Sequence, residues 1–200
     1  MLSHTGGLPG YLSRVTMIPS LRLGVAVLTN QESGAAFNAI SYWIVDHFLG
    51  APRADYLSIY RTLDQRDRAS IAAAEKAALS ARDSASRPSL PLARYVGTYT
   101  DQWYGDVTIT QEPPRNATGS SAPRLTIRFT KTPSLVGELV HWQHDTFLAR
   151  WDDRTLRADS FLTFALTPDG KIDQAKMLPA SPLVDFSFDF QDLVLKPKPK

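Results

Sequence analysis

Leu125-Thr126-Ile127-Arg128-Phe129 alternates apolar and polar side chains without a break, which is the period-two signature of a strand with one buried face. Runs of the same kind lie on both sides of it, over residues 97–100, 107–111, 135–142, 146–151, 160–166, 172–178 and 186–194. The last contains an equally clean alternation, Phe186-Ser187-Phe188-Asp189-Phe190, and Asp169-Gly170 is a hairpin-turn pair between two others. About eight short runs in roughly 105 residues predict an up-and-down antiparallel barrel, because closure leaves no unpaired strand edge. Residues 113–123 (P-P-R-N-A-T-G-S-S-A-P) read as a mobile loop, whose N-A-T sequon matters only in a glycosylating secretory pathway. The K-P-K-P-K tail, residues 196–200, is expected to fray.

Upstream the grammar changes. Residues 84–92 (S-A-S-R-P-S-L-P-L) carry two prolines that end any preceding helix, and they read as a linker and the best domain boundary. Residues 54–83 hold neither Gly nor Pro and predict one long helix or two in tandem, with Tyr56, Ile59, Tyr60 and Leu63 on a docking face. A second helix is predicted over residues 35–49, from Ala35 in its first turn to Leu49 in its last, with Ser33 as N-cap and Gly50 as stop. Its apolar stripe is wider than one exposed face permits, so it should pack on a sheet. Before it, residues 11–17 and 21–28 read as a hairpin turning at Pro19-Ser20. The organisation is therefore an α+β segment over 1–50, a helical linker over 51–89 and an all-β domain over 90–200.

At the N-terminus stands Ser3-His4-Thr5-Gly6-Gly7-Leu8-Pro9-Gly10. It joins a titratable ring and a hydroxyl to three glycines, which tolerate unusual φ/ψ and let a ligand approach the backbone. Main-chain N–H groups there could receive a developing oxyanion, so the stretch reads as one wall of an active site.

With the dense strand Leu21-Arg22-Leu23-Gly24-Val25-Ala26-Val27-Leu28-Thr29-Asn30 and the helix after it, this segment resembles the C-terminal end of the catalytic domain in penicillin-recognising serine hydrolases. These are the bacterial class C β-lactamases, DD-peptidases and related esterases. The resemblance places His4-Thr5-Gly6 where the family has its K-T-G triplet, on the edge strand beside the nucleophile. It implies that Thr5 bonds a substrate carboxylate or carbonyl, that His4 supplies a donor or positive charge, and that the Gly7 N–H forms half of the oxyanion hole. The family's S-x-x-K is not encoded, since no Ser is followed three residues later by Lys, and its Y-x-N or S-x-N motif is absent too. The chain thus reads as the C-terminal part of such a hydrolase, inactive alone. Leu90-Pro91-Leu92-Ala93-Arg94-Tyr95-Val96-Gly97-Thr98-Tyr99, followed by Tyr104-Gly105-Asp106-Val107, is similar to the opening of the lipocalin-like domain often appended to these enzymes. That makes the expected fold an α+β remnant followed by a lipocalin-like eight-stranded antiparallel barrel. The partner implied is the N-terminal catalytic segment, or a second copy covering the helix over 35–49, and the implied parent is periplasmic or secreted.

Rival readings are a freestanding barrel for a small-molecule ligand and an interaction module using the Tyr42-Trp43 face. A formal charge of +2 with scattered Lys and Arg argues against nucleic acid. The lack of Cys excludes disulfides and thiolate metal sites. No run of about 18 apolar residues spans a bilayer, and no signal pattern opens the chain. His141-Trp142-Gln143-His144-Asp145 invites a metal reading, yet residues three apart on a strand face opposite ways, so a hairpin role is expected. Trp103, Trp142 and Trp151 are expected to fill the barrel, and Asp152-Asp153 to diverge. No cofactor and no metal are called for.

Overall fold

The alternating runs close on one another in a computed structural model that describes residues 1–8, 10–112 and 123–199. The chain divides into two compact units, Met1–Ala73 and Ala74–Lys200. In the second, β4 (Gly97–Asp101), β5 (Gly105–Glu112), β6 (Arg124–Phe129), β7 (Val136–Gln143), β8 (Thr146–Trp151), β9 (Ser160–Leu166), β10 (Ile172–Pro179) and β11 (Val194–Pro197) form a closed barrel. Each strand pairs antiparallel with its neighbours in sequence, and β11 returns to β4. Every second residue points inward: Val107, Ile109, Leu125, Ile127, Phe129, Phe147, Trp151, Leu162 and Met177 are among the most deeply buried side chains. Register stacks them across strands, with Ile109 opposite Ile127 and Phe147 opposite Leu162. Large side chains thus pack the interior as a core. Gly137 faces Trp151, and a Cβ there would lie 2.2 Å from the Arg150 carbonyl oxygen, so β7 and β8 approach more closely than any other residue allows.

The final run departs from the expected strand. Phe186–Phe188 and Phe190–Asp192 are two 3-10 turns, and the closing strand is β11. Three local features override the alternation. Asp185 accepts the Ser187 N–H (2.8 Å), Asp189 takes the left-handed conformation at φ 49°, and the Phe188 and Phe190 rings stack at 5.3 Å. The tail is correspondingly not frayed at its start. Lys196 pairs with Thr100 and Pro197 with Tyr99, the Lys198 N–H donates to the Thr98 carbonyl at 2.8 Å, and Lys198 Nζ meets Asp106 at 2.7 Å. Pro197 is tolerated because the bond to β4 is donated by the Lys198 N–H and none is needed from residue 197. Of the loop expected over 113–123, residues 113–122, the sequon included, lie outside the described residues.

The stretch read as a linker is a strap on the barrel. Arg82 Nε donates to the Trp142 carbonyl (2.7 Å) while its guanidinium lies 4.6 Å above the Trp142 ring. The Asp83 N–H reaches Gln143 Oε1, Ser86 Oγ accepts from the His144 N–H, and Ser89 gives Asp145 both its N–H and its hydroxyl proton. Prolines here restrict the path rather than loosen it.

In the first unit, β1 (Leu2–Leu8), β2 (Tyr11–Ile18) and β3 (Leu23–Thr29) make a three-stranded antiparallel sheet where the sequence suggested a hairpin. The extra strand is the Gly-rich stretch itself. α1 (Gly34–Leu49) follows, ended by Gly50 in the left-handed conformation as anticipated, although Ser33 caps its start without a side-chain bond. Phe37 and Val45 of α1 pack on Ile18, Val25 and Val27 of the sheet. α2 (Tyr56–Ser80) is one helix with no buried residue, tied to α1 at its start where the Tyr56 hydroxyl donates to Asp46 at 2.5 Å. That bond, more than burial, pushes the Tyr56 hydroxyl up to about 12. Among the described residues no helix is long and apolar enough to cross a membrane.

Candidate functional site

β1 is an edge strand, and all seven of its residues are exposed. Half the backbone N–H and C=O groups of such a strand point away from its only neighbour, here β2, and are open to a ligand. Directly paired residues share a face, and the register puts Thr5 beside Arg14 and Gly7 beside Leu12 on the side that α1 covers. His4 lies beside Val15, and Gly6 beside Ser13, on the opposite side. The four residues singled out in the sequence therefore share one strand edge, but the His4 and Thr5 side chains leave it in opposite directions. The His4 Nδ1–H donates to the Thr5 carbonyl at 2.7 Å, which fixes that tautomer and leaves Nε2 to face outward.

Gly6 and Gly7 are not there for unusual backbone angles. Both sit in regular strand pairing, and positive φ occurs at Gly10 (85°), where the chain turns and its N–H meets Glu32 Oε1 at 2.8 Å. What Gly6 provides is space: a Cβ would come within 2.9 Å of Ser13 Oγ. Bare backbone at two successive edge positions allows close approach from outside.

Sequence reasoning passed over Arg14. It is 9% exposed, sandwiched between β2 and α1, and all its described partners are neutral. Nε donates to Thr16 Oγ1 (3.2 Å), one terminal nitrogen to Asn38 Oδ1, and the other to Tyr42 (3.0 Å) and Ser3 (3.4 Å), with the Tyr42 ring 4.7 Å from the guanidinium carbon. The Ser3 bond ties the β1 edge to α1. The available signal was positional: Arg14 falls at an inward place in the β2 alternation, where a charge needs a built environment.

The other sequence candidates resolve structurally. His141 Nε2 donates to the His144 carbonyl (2.9 Å) across the β7–β8 hairpin, whose tip puts His144 at φ 45°. Among the described residues no group of three His, Cys, Asp or Glu side chains is placed to hold a metal ion. Asp145 is instead the hub of the strap, accepting from Ser89 and from the Tyr95 hydroxyl. Burial opposes its charge, but these bonds outweigh that and hold its carboxyl below the usual range. Asp153 caps the turn at Thr155, so it forms no couple with Asp152. Of the tryptophans, Trp151 is core and Trp142 lies under Arg82, while Trp103 is exposed.

Comparison with known proteins adds the following. The family described as Domain of unknown function (DUF3471) matches residues 81–197, more than half of the chain and inclusive of the strap. The chain is similar to the protein named Unguisins hydrolase ungD of Aspergillus violaceofuscus, at 32% identity over 112 residues, which is 52% of this chain and 20% of that protein. It is also similar to Unguisins hydrolase ungD' of Aspergillus campestris, at 30% identity over 119 residues, 56% of this chain and 22% of that one. The matched part thus spans about a fifth of the length of these curated relatives.

Proposed function

This chain belongs to the DUF3471 family, and on that premise we propose that it is a C-terminal part of a serine hydrolase of the β-lactamase, DD-peptidase and esterase type, carrying one wall of the active site and a lipocalin-like barrel. The observation that carries this reading is the exposed β1 edge, where His4, Thr5 and two bare glycines lie in a sheet backed by α1. The hydrolase names of two relatives support the reaction class. In the assembled enzyme a Ser from the S-x-x-K segment attacks an amide or ester carbonyl. Backbone N–H at Gly7 receives the oxyanion, Thr5 holds the substrate's carboxylate or carbonyl, and His4, with both ring nitrogens protonated, offers an Nε2–H donor and a positive charge on the other side of the edge.

The catalytic segment is also the natural partner for the sheet face that α1 leaves open. Leu2, Leu8, Tyr11, Val15, Met17 and Leu28 are all exposed, and the register places them together on that face. Self-association through the outer side of α1, where Ile40, Trp43 and Phe48 are exposed, would be the fallback when that segment is missing.

The test is to express this chain in frame behind a segment carrying S-x-x-K and Y-x-N, and to assay a chromogenic β-lactam and a p-nitrophenyl ester. Hydrolysis should appear only in the joined protein. Thr5→Ala should lower kcat about 10²-fold, as for removal of one site donor. A joined, folded protein whose rate is indifferent to Thr5→Ala and His4→Ala would refute the assignment of β1.

A further inference from the structure

Trp103 is 69% exposed on the turn between β4 and β5, a turn whose backbone is held in place. Asp101 Oδ1 accepts the N–H of Trp103 (2.8 Å) and of Tyr104 (3.0 Å), while Oδ2 accepts the Val194 N–H (3.0 Å), so one carboxylate fixes the turn to the barrel. Behind the indole runs a chain of ring contacts at 5.7 to 6.3 Å: Trp103 to Tyr104, Tyr104 to Phe129, Phe129 to Trp151 and Trp151 to Phe190. Tyr104 is locked in turn by its hydroxyl, which donates to the Phe188 carbonyl at 2.8 Å. Four of these five rings close one end of the barrel, and the fifth projects from it.

Open clefts flank the indole, one of about 540 Å³ and one of about 440 Å³. Both volumes fall in the roughly 300–1,000 Å³ range of small-ligand sites. The rim of the second is polar and mixed: Lys131 and Asp189 bring one charge of each sign, and Thr132 and Ser187 bring hydroxyls. Lys131 is positioned, because its stem lies against the bare backbone of Gly105, where a Cβ would meet its Cε at 2.9 Å. Asp189 stands in the left-handed conformation between the two 3-10 turns.

We propose that this end of the barrel binds a neutral saccharide, a sugar ring stacking its C–H face on Trp103 while its hydroxyls pair with Lys131, Asp189, Thr132 and Ser187. A rim with equal positive and negative charge gives no preference to an ion, and it offers donors and acceptors together, which a polyol satisfies. A preorganised aromatic face supplies apolar contact at little entropic cost. A single projecting ring with a wet rim is too small an apolar patch for a stable protein interface, which needs about 800 Å² on each side. The residues concerned all lie in the second unit, so the inference is independent of the β1 assignment.

The experiment is saturation-transfer NMR and calorimetry on the full chain with cellobiose, maltose and N,N′-diacetylchitobiose. At least one should show transfer to its ring protons with millimolar or tighter binding. Trp103→Ala should weaken it at least tenfold and Lys131→Ala about threefold, while Trp43→Ala, an exposed indole elsewhere, should leave it unchanged. Circular dichroism reports whether Trp103→Ala keeps its fold; if it does not, Trp103→Phe and Ser187→Ala are read instead, with partial loss expected from each. No transfer from any of the three sugars, or transfer undiminished in the folded variants, would overturn the proposal.

Discussion

At Arg14 a charge is held between strand and helix by hydroxyls and an amide, with no carboxylate among its described partners. Removing it strips hydrogen-bond partners from Ser3, Thr16, Asn38 and Tyr42 at once. Arg14→Ala should therefore destabilise the first unit by about 2–4 kcal/mol, and Arg14→Lys should recover little, since an ammonium does not reach four acceptors in a planar fork. Urea melts followed by Trp43 fluorescence would check both. Gly137 is the comparable point in the barrel. Gly137→Ala drives a methyl into the Arg150 carbonyl and should cost about 3 kcal/mol, read as a lower denaturation midpoint with unchanged slope. An isolated glycine in the strand-like run 135–142 hinted at close approach, but which backbone it meets depends on barrel closure and is not written locally.

Among the elements, strands were legible where alternation agreed with flanking turns, as in β6 and at the turn of Gly170 (φ 74°). They were misread where side-chain chemistry competed with the pattern. Phe186-Ser187-Phe188-Asp189-Phe190 has the right period, yet Asp185 and Asp189 bend it into turns. The strap was hidden for a different reason: prolines and serines signal an irregular path, and they do not reveal that Ser86 and Ser89 find partners 58 and 56 residues away. Its energetics give a prediction. A chain of residues 81–200 should fold with a sharp melt, whereas one of residues 90–200 should melt lower, because it leaves Trp142 and Asp145 without Arg82 and Ser89. Equal melting temperatures would show that the strap is passive. The pH dependence follows from the same hub. Asp145 is depressed below its unfolded value, so its contribution is present above about pH 4 and is lost as pH falls through the lower folded value. The Tyr95 hydroxyl is raised, first by burial and then by its bond to Asp145, so its contribution holds below about pH 10 and fades as pH rises beyond that. Tyr95→Phe should lower stability at neutral pH, where that contribution is present, and flatten the alkaline limb, both read from urea melts.

For the molecule as a whole, the sequence carried the order of parts: sheet and helices first, then a closed antiparallel barrel of eight strands. It also carried the edge position of His4-Thr5-Gly6-Gly7, through resemblance rather than periodicity, since glycines dilute the strand signal there. What it did not carry was the direction of each side chain. That His4 and Thr5 leave opposite faces follows from pairing with β2, and so does the exposed apolar face that α1 does not cover. The central claim is that this chain holds the wall of a serine hydrolase site without its nucleophile. Intact-protein mass spectrometry after incubation with a penicillin and with a fluorophosphonate tests it most directly. The account predicts an unchanged mass with both reagents; a stoichiometric adduct on one serine, abolished by changing that serine to alanine, would contradict it.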